Sequence, residues 1–219
     1  MHVHSPVAID VYDHSGNHTG LSTSTIPDSD IAMIDEQIPN SYYLEFGEGK
    51  YVGLDTDDAY AVLLHGTDTG TFSFIAEKVI GGIATTVATY TDIPITPSTT
   101  ATLLIDENGG AQNLTIDSDS DGDTDATIDE AGDIDPLAYI ALFRATVQQM
   151  DLKPVVKKLI LAGLRLVEKD LQKNKIKQAR IKLEILGKGI KLGIKKDQLP
   201  MSDGEILLRM VERLKDLIL

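Results

Sequence analysis

Residues 113–143 read NLTIDSDSDGDTDATIDEAGDIDPLAYIALF, and two periodicities meet inside this stretch. Up to Asp117, apolar Leu114 and Ile116 alternate with polar neighbours, the period of a half-buried strand. From Pro136 onward, Ile140, Phe143, Val147 and Met150 recur at three- and four-residue spacing, the period of a helix face. Between them a carboxylate stands at every second position from Asp117 to Asp125. Five like charges that close repel one another unless something positive sits among them. The stretch therefore predicts a change of structural class, marked by an acidic loop.

The charge follows the same division. Residues 1–150 hold 3 basic and 25 acidic side chains, a net of −22, whereas 151–219 hold 17 basic and 9 acidic, a net of +8. Apolar residues make up 42% of the 219, ordinary for a folded chain. There is no cysteine, which excludes disulfides, thiol catalysis and zinc–thiolate sites. No apolar run reaches transmembrane length and no signal peptide follows Met1. The chain begins almost at once in strand-like sequence, so it is read as a piece of a longer protein. An acidic first part makes nucleic acid an unsuitable partner.

Working towards the N-terminus, PVAIDVY alternates Val7, Ile9 and Val11 as a strand, and DHSGNHTG turns the chain. SYYLEFGEGKYVGLD predicts a hairpin about Gly47–Gly49, and AYAVLLHGTDTGTFSFIAEKVI predicts another about Gly66–Gly70. IATTVATYTDIPI, TTATLLID and NLTID continue the pattern, which implies an antiparallel sandwich or barrel. Towards the C-terminus, Asp133 or Asp135 can cap a helix that carries Pro136 in its first turn. Pro154 opens a second helix with a Leu159, Ile160, Leu164, Val167, Leu171 stripe. A break near Asn174 precedes a third, carrying Ile176, Ala179, Leu183, Leu186 and Ile190. Ser202, with Glu205 three residues on, has the capping-box pattern for a fourth, lined by Ile206, Met210, Val211, Leu214 and Leu217. Short loops between such helices predict a small antiparallel bundle. Its Lys-rich faces are most simply solvated surface.

Alternating aspartates are what calcium asks for, since it takes six to eight oxygen ligands from a flexible loop. Counted from Asp117 as an EF-hand, Asp119, Asp121 and Gly122 fall in place, but the twelfth position is Ile128, which cannot bind a cation. Asp129 comes one residue late, and a strand precedes the loop where an EF-hand has a helix. The shorter pattern D-x-D-x-D-G-x-x-D, ending on Asp125, fits completely. The metal candidates are Asp117, Asp119, Asp121, Asp123, Asp125 and Asp129, for a structural Ca2+. A solvated acidic turn is the plainer reading of the same residues.

For catalysis the chain offers little. His2 and His4 would share a strand face and His14 and His18 follow, so zinc is a conceivable ligand, against the plainer reading of exposed histidines. No nucleophile elbow, phosphate loop, zincin helix or dinucleotide fingerprint occurs, and neither catalytic nor cofactor-binding residues are assigned. Tyr42, Tyr43 and Tyr51 cluster, but as cross-strand pairs more readily than as a sugar platform.

HSPVAIDVYDHSGNHTGL, IDEQIPNSYYLEFGEGKYVGL and LLHGTDTGTFSF resemble an accessory β-sandwich module of large prokaryotic surface or secreted proteins. Such modules sit beside lipase-like α/β-hydrolase or von Willebrand A-type domains. The aspartate pattern after TDIPITP, and a Leu/Lys-rich helical tail, belong to the same setting. The resemblance implies a non-catalytic role next to another domain. It carries over no catalytic residues, and of its features only Asp117, Asp119, Asp121, Asp123 and Asp125 suggest a site.

The resulting expectation is an α+β, multi-domain chain. An Ig-like antiparallel β-sandwich over 1–130 ends in the calcium loop at 117–129, and a bundle of four helices follows over 134–219. It would be an extracellular or cell-surface structural module, its partner a neighbouring domain of the parent protein or another surface protein. Oligomerisation through the helices is a further expectation, and membrane insertion is not one. The alternative functions are an accessory domain aiding a lipase-like hydrolase and a calcium-regulated binding protein.

Overall fold

The computed structural model describes residues 1–4, 6–25, 32–55 and 58–219; residue 5, inside the SPV stretch, lies outside them. Among the described residues the strands are β1 His2–His4, β2 Val7–Asp13, β3 His18–Thr25, β4 Ala32–Glu36, β5 Tyr42–Phe46, β6 Gly49–Gly53, β7 Tyr60–Gly66, β8 Gly70–Ile80, β9 Ile83–Ile95, β10 Thr100–Ile105, β11 Leu114–Asp117 and β12 Ala126–Ile128. The helices are α1 Pro136–Gln149, α2 Pro154–Leu171, α3 Ile176–Lys195 and α4 Met201–Leu217. The strands form two antiparallel sheets, ordered β5-β6-β1-β8-β9 and β12-β11-β10-β7-β2-β3-β4. This is an α+β architecture.

Alternation decides which side chains are inside. Val7, Ile9 and Val11 of β2, Val62 and Leu64 of β7, and Leu114 and Ile116 of β11 are buried, as are Val3, Phe72 and Phe74 from the other sheet. Burial of each such side chain stabilises the fold by about 1.5–3 kcal/mol. Helix α1 packs on β9 and β12 and α4 on β8 and β9, while α2 packs on α1 and α3. Phe143, Val147, Leu164, Leu183 and Leu214 therefore belong to the same buried cluster as the strand residues. No described helix is long and apolar enough to cross a membrane.

Helix α1 starts as its sequence requires. The Asp135 carboxylate accepts from the amides of Leu137 and Ala138, and Pro136, which has no N–H to satisfy, opens the first turn. The Tyr139 hydroxyl then donates to Asp92 O at 2.7 Å and ties α1 to β9. Asp92 can present that carbonyl because a bulge in β9 places it at φ 51°, with its own amide donating to Ser73 Oγ.

Three local expectations are corrected. The 66–70 turn does not close a hairpin: β7 pairs with β2 and β10, β8 pairs with β1 and β9, and the connection passes between sheets. Gly66 serves close approach instead, since a Cβ there would lie 2.0 Å from Thr96 O. The fourth helix begins at Met201, one residue before the Ser202 expected as its cap, with Pro200 preceding it and no capping side chain. Pro200, at φ −53°, already accepts the first helical bond from the Gly204 amide. The stretch read as one turn, DHSGNHTG, turns only over 14–17, and His18 already begins β3.

Candidate metal centre

Strands β11 and β12 pair with Ile116 opposite Ala126 and Leu114 opposite Ile128, all four buried. Ile128, the residue that fails the EF-hand pattern, is thus a core strand residue. The acidic run is the loop of this hairpin, 118–125. Ser120 at φ 61° and Gly122 at φ 94° reverse it, and Gly122 faces open space, so the glycine is there for its backbone.

The Asp117 carboxylate organises the loop. Its Oδ1 accepts from Ser120 N at 2.7 Å and Asp119 N at 3.3 Å, and its Oδ2 accepts from Gly122 N at 2.9 Å. Desolvation pushes its pKa up, but the amides of Gly122, Ser120, Asp119 and Asp121 together outweigh it and hold the carboxyl below its ordinary value. At the other end, Asp125 Oδ2 accepts from Ser118 N at 2.8 Å and from the Ser118 hydroxyl.

Carboxylate oxygens of Asp117, Asp119 and Asp125 lie within 4.8 Å of one another. Among the described residues this is where three metal-ligating side chains converge. Asp121 is not among them; its Oδ1 accepts from Asp123 N at 2.8 Å, and Asp123 also stands outside the group. Asp129 lies beyond β12, where its Oδ1 accepts from Ala131 N and Asp133 N and shapes the next turn. Three of the six candidates are therefore brought together. Hard oxygen donors alone suit a hard cation, and three carboxylates leave further positions for backbone oxygen or water.

The loop is also tied to the rest of the molecule through residues the sequence did not single out. Ser120 Oγ donates to Ser98 O at 2.7 Å, and Ser98 Oγ donates to Ser118 O at 3.2 Å. Gln149 Nε2, at the end of α1, donates to Ser98 Oγ at 2.9 Å. Thr99 Oγ1 adds a bond to Ser118 O and fixes the β9–β10 turn through Thr96. The acidic loop thereby reaches the last turn of α1 by way of the β9–β10 turn. Ser98 and Gln149 are 51 residues apart, so no local pattern announces the pair.

Among the described residues the histidines do not join a second group of metal-ligating side chains. His2 and His4 meet edge-on, with ring centroids 5.6 Å apart, and His2 leans on Tyr51. His18 sits between Asp10 (2.9 Å) and Asp35 (3.3 Å) and stacks on Tyr12. His14 Nδ1 contacts Asp58 at 2.9 Å while its Nε2 lies 3.2 Å from Ser15 Oγ, the order of a nucleophile, base and acid. That arrangement is exposed, and the amides of Ser15, Gly16 and Asn17 all donate to Asp13. They are then not free to donate to the oxyanion of a carbonyl group attacked by Ser15. The tyrosines serve packing: Tyr43 is buried with its hydroxyl on Glu45, and the exposed Tyr42 ring covers Gly53.

No family model, no curated protein and no solved structure matches this chain.

Proposed function

We propose that the chain is a non-catalytic structural module of a larger exported or cell-surface protein, built on an Ig-like β-sandwich and held together by a bound calcium ion. The observation that carries this reading is the convergence of Asp117, Asp119 and Asp125 in a loop that is bonded through Ser98 to Gln149 of α1. A cation there neutralises the loop, keeps Ser118 and Ser120 in position, and so fixes the end of α1 against the strands. Its role is to hold the parts in place, and the partner is a neighbouring domain of the parent protein.

The test is calcium titration calorimetry together with thermal melting in calcium and in EGTA. Calcium at about a hundred times its Kd adds about 2.7 kcal/mol of stability. Asp119→Ala removes one ligand oxygen without removing the Asp117 bonds that shape the loop, and should abolish both the heat and the calcium-dependent rise in Tm. Calcium uptake that survives Asp119→Ala unchanged would sink the reading.

A further inference from the structure

Helices α2 and α3 leave an apolar groove of about 520 Å³ between them, floored by Gly163, Gly189 and Gly193 and walled by Leu159, Leu166 and Ile185. A Cβ on Gly189 would meet nothing within 4 Å, so the space above the floor is open. Each helix also carries more apolar surface than its core contacts use. The buried stripes are Ile160, Leu164 and Val167 on α2, and Ala179, Leu183 and Ile190 on α3. Beside them run second stripes, Val155, Leu159, Leu166 and Ile181, Ile185, Leu192, with the same four-then-seven spacing and every member at least half exposed. Among the described residues no element covers them. A contiguous exposed apolar surface of this kind marks a site of association.

What lies outside the groove indicates the occupant. Residues 154–196 hold thirteen basic and three acidic side chains, a net of +10 in a chain whose total is −14. On α2, exposed Lys158, Arg165 and Lys169 repeat at seven and four residues and so share one line along the outer rim; on α3, exposed Lys177, Lys188 and Lys195, at eleven and seven residues, share another. The trough runs from Val156 to Leu166 on α2, about 15 Å or three helical turns. A concave apolar trough with basic rims matches a ridge of apolar side chains flanked by acids. A flat bilayer offers no such ridge. A second copy docked face to face would oppose two hairpins of the same strong charge.

We infer that the α2–α3 groove is a docking site for an acidic amphipathic helix of a partner protein, laid in as a third helix with its apolar face on the glycine floor and its carboxylates against the two lysine lines. This deepens the reading of the chain as a module that holds a neighbour, and it uses no metal.

The probe is a synthetic 18-residue peptide with leucines at i, i+3, i+4 and i+7 spacing and glutamates elsewhere, titrated into the whole chain by fluorescence anisotropy. One-to-one binding is expected, weakened about ten-fold or more between 0.05 and 0.5 M NaCl. Gly189→Leu, which fills the trough at an unstrained helical position, should weaken it at least ten-fold. Leu159→Gln with Ile185→Gln, both solvent-facing, should do the same, and circular dichroism melts confirm that each variant folds. Equal binding of a scrambled peptide, or of one with lysine for glutamate, overturns the proposal. So does binding that Gly189→Leu leaves unchanged. Phosphatidylserine vesicles bound in place of the peptide, or a dimer that Gly189→Leu dissociates in sedimentation, also overturn it, in favour of a membrane or a second copy. Calcium titration of the same sample separates failure of the groove from failure of the calcium joint.

Discussion

Helices α1 and α4 lie on the strands, whereas α2 and α3 pack chiefly on helices, and α1 is built differently from α2 and α3. Helix α1 carries Arg144 as its one charged side chain and buries Tyr139, Ile140, Leu142, Phe143, Thr146 and Val147, nearly half its length. Helices α2 and α3 bury four residues each, although they are longer, and hold ten basic side chains between them. Helix α1 of this inner pair is specified by what surrounds it on several sides, whereas α4, with five buried residues and seven charged side chains, is amphipathic. The outer pair is specified by one narrow stripe, and its remaining apolar residues are free to face something else. The most buried helix and the exposed apolar stripes thus fall in different parts of one bundle.

The sharpest way to break this contrast is to truncate one large apolar residue in each pair. Phe143, fully buried in α1, is expected to cost about 3–5 kcal/mol as Phe143→Ala. Leu159→Ala, at a residue 66% exposed on α2, should change stability by no more than about 0.5 kcal/mol. Urea unfolding of the two variants decides it, and equal costs would show that the outer pair is no less packed than the inner. A smaller loss is expected at the place where the inner pair meets the strands. Gly132, at φ +90°, has its Cβ position 2.6 Å from Thr89 O, and Gly132 O accepts from the Arg213 guanidinium of α4. Gly132→Ala must strain the backbone or displace Thr89, at about 1–3 kcal/mol. If its urea midpoint equals that of the parent, this contact does not hold the inner helices to β9.

The same contrast explains how much of the molecule was legible in its sequence. The helices could be read almost to the residue, because Pro136, Pro154 and the turn at Asn174 (φ 53°) mark their ends and three- to four-residue spacing marks their faces. The strands were legible singly but not in their pairing. A short turn after Gly66 fits a hairpin and a passage between sheets equally well, and only the positions of Thr96, Thr99 and Pro6 select the second. Likewise, alternation of five aspartates implies one face only while the backbone stays extended. The left-handed residues Ser120 and Gly122 end the alternation and leave Asp121 and Asp123 outside the group. The loop's anchorage was not legible at all, because Ser98 and Gln149 are joined by folding rather than by spacing.

The smallest expected effect opposes one acid of the strand region to one of the helices. Asp117 is held below its ordinary value of 3.8 by loop amides, so the stability it contributes is complete above that value and is lost as pH falls towards its lower native pKa. Asp203, in the first turn of α4, is displaced upward, first by desolvation and then by the charges of Asp151 and Asp68. Its sign is opposite: the stability it contributes is complete below 3.8 and is lost as pH rises through its raised pKa. Asp203→Asn should therefore flatten the weakly acid limb of the Tm–pH profile and leave the protein slightly more stable at pH 7. Asp203 is partly exposed, and a negative charge near a helix N-terminus is itself favourable, so the net gain is reduced. It should stay below the roughly 2–4 °C that 1 kcal/mol moves a chain of this size. A loss of Tm at pH 7 in Asp203→Asn would mean that the interaction with the helix terminus outweighs desolvation and the two neighbouring acids.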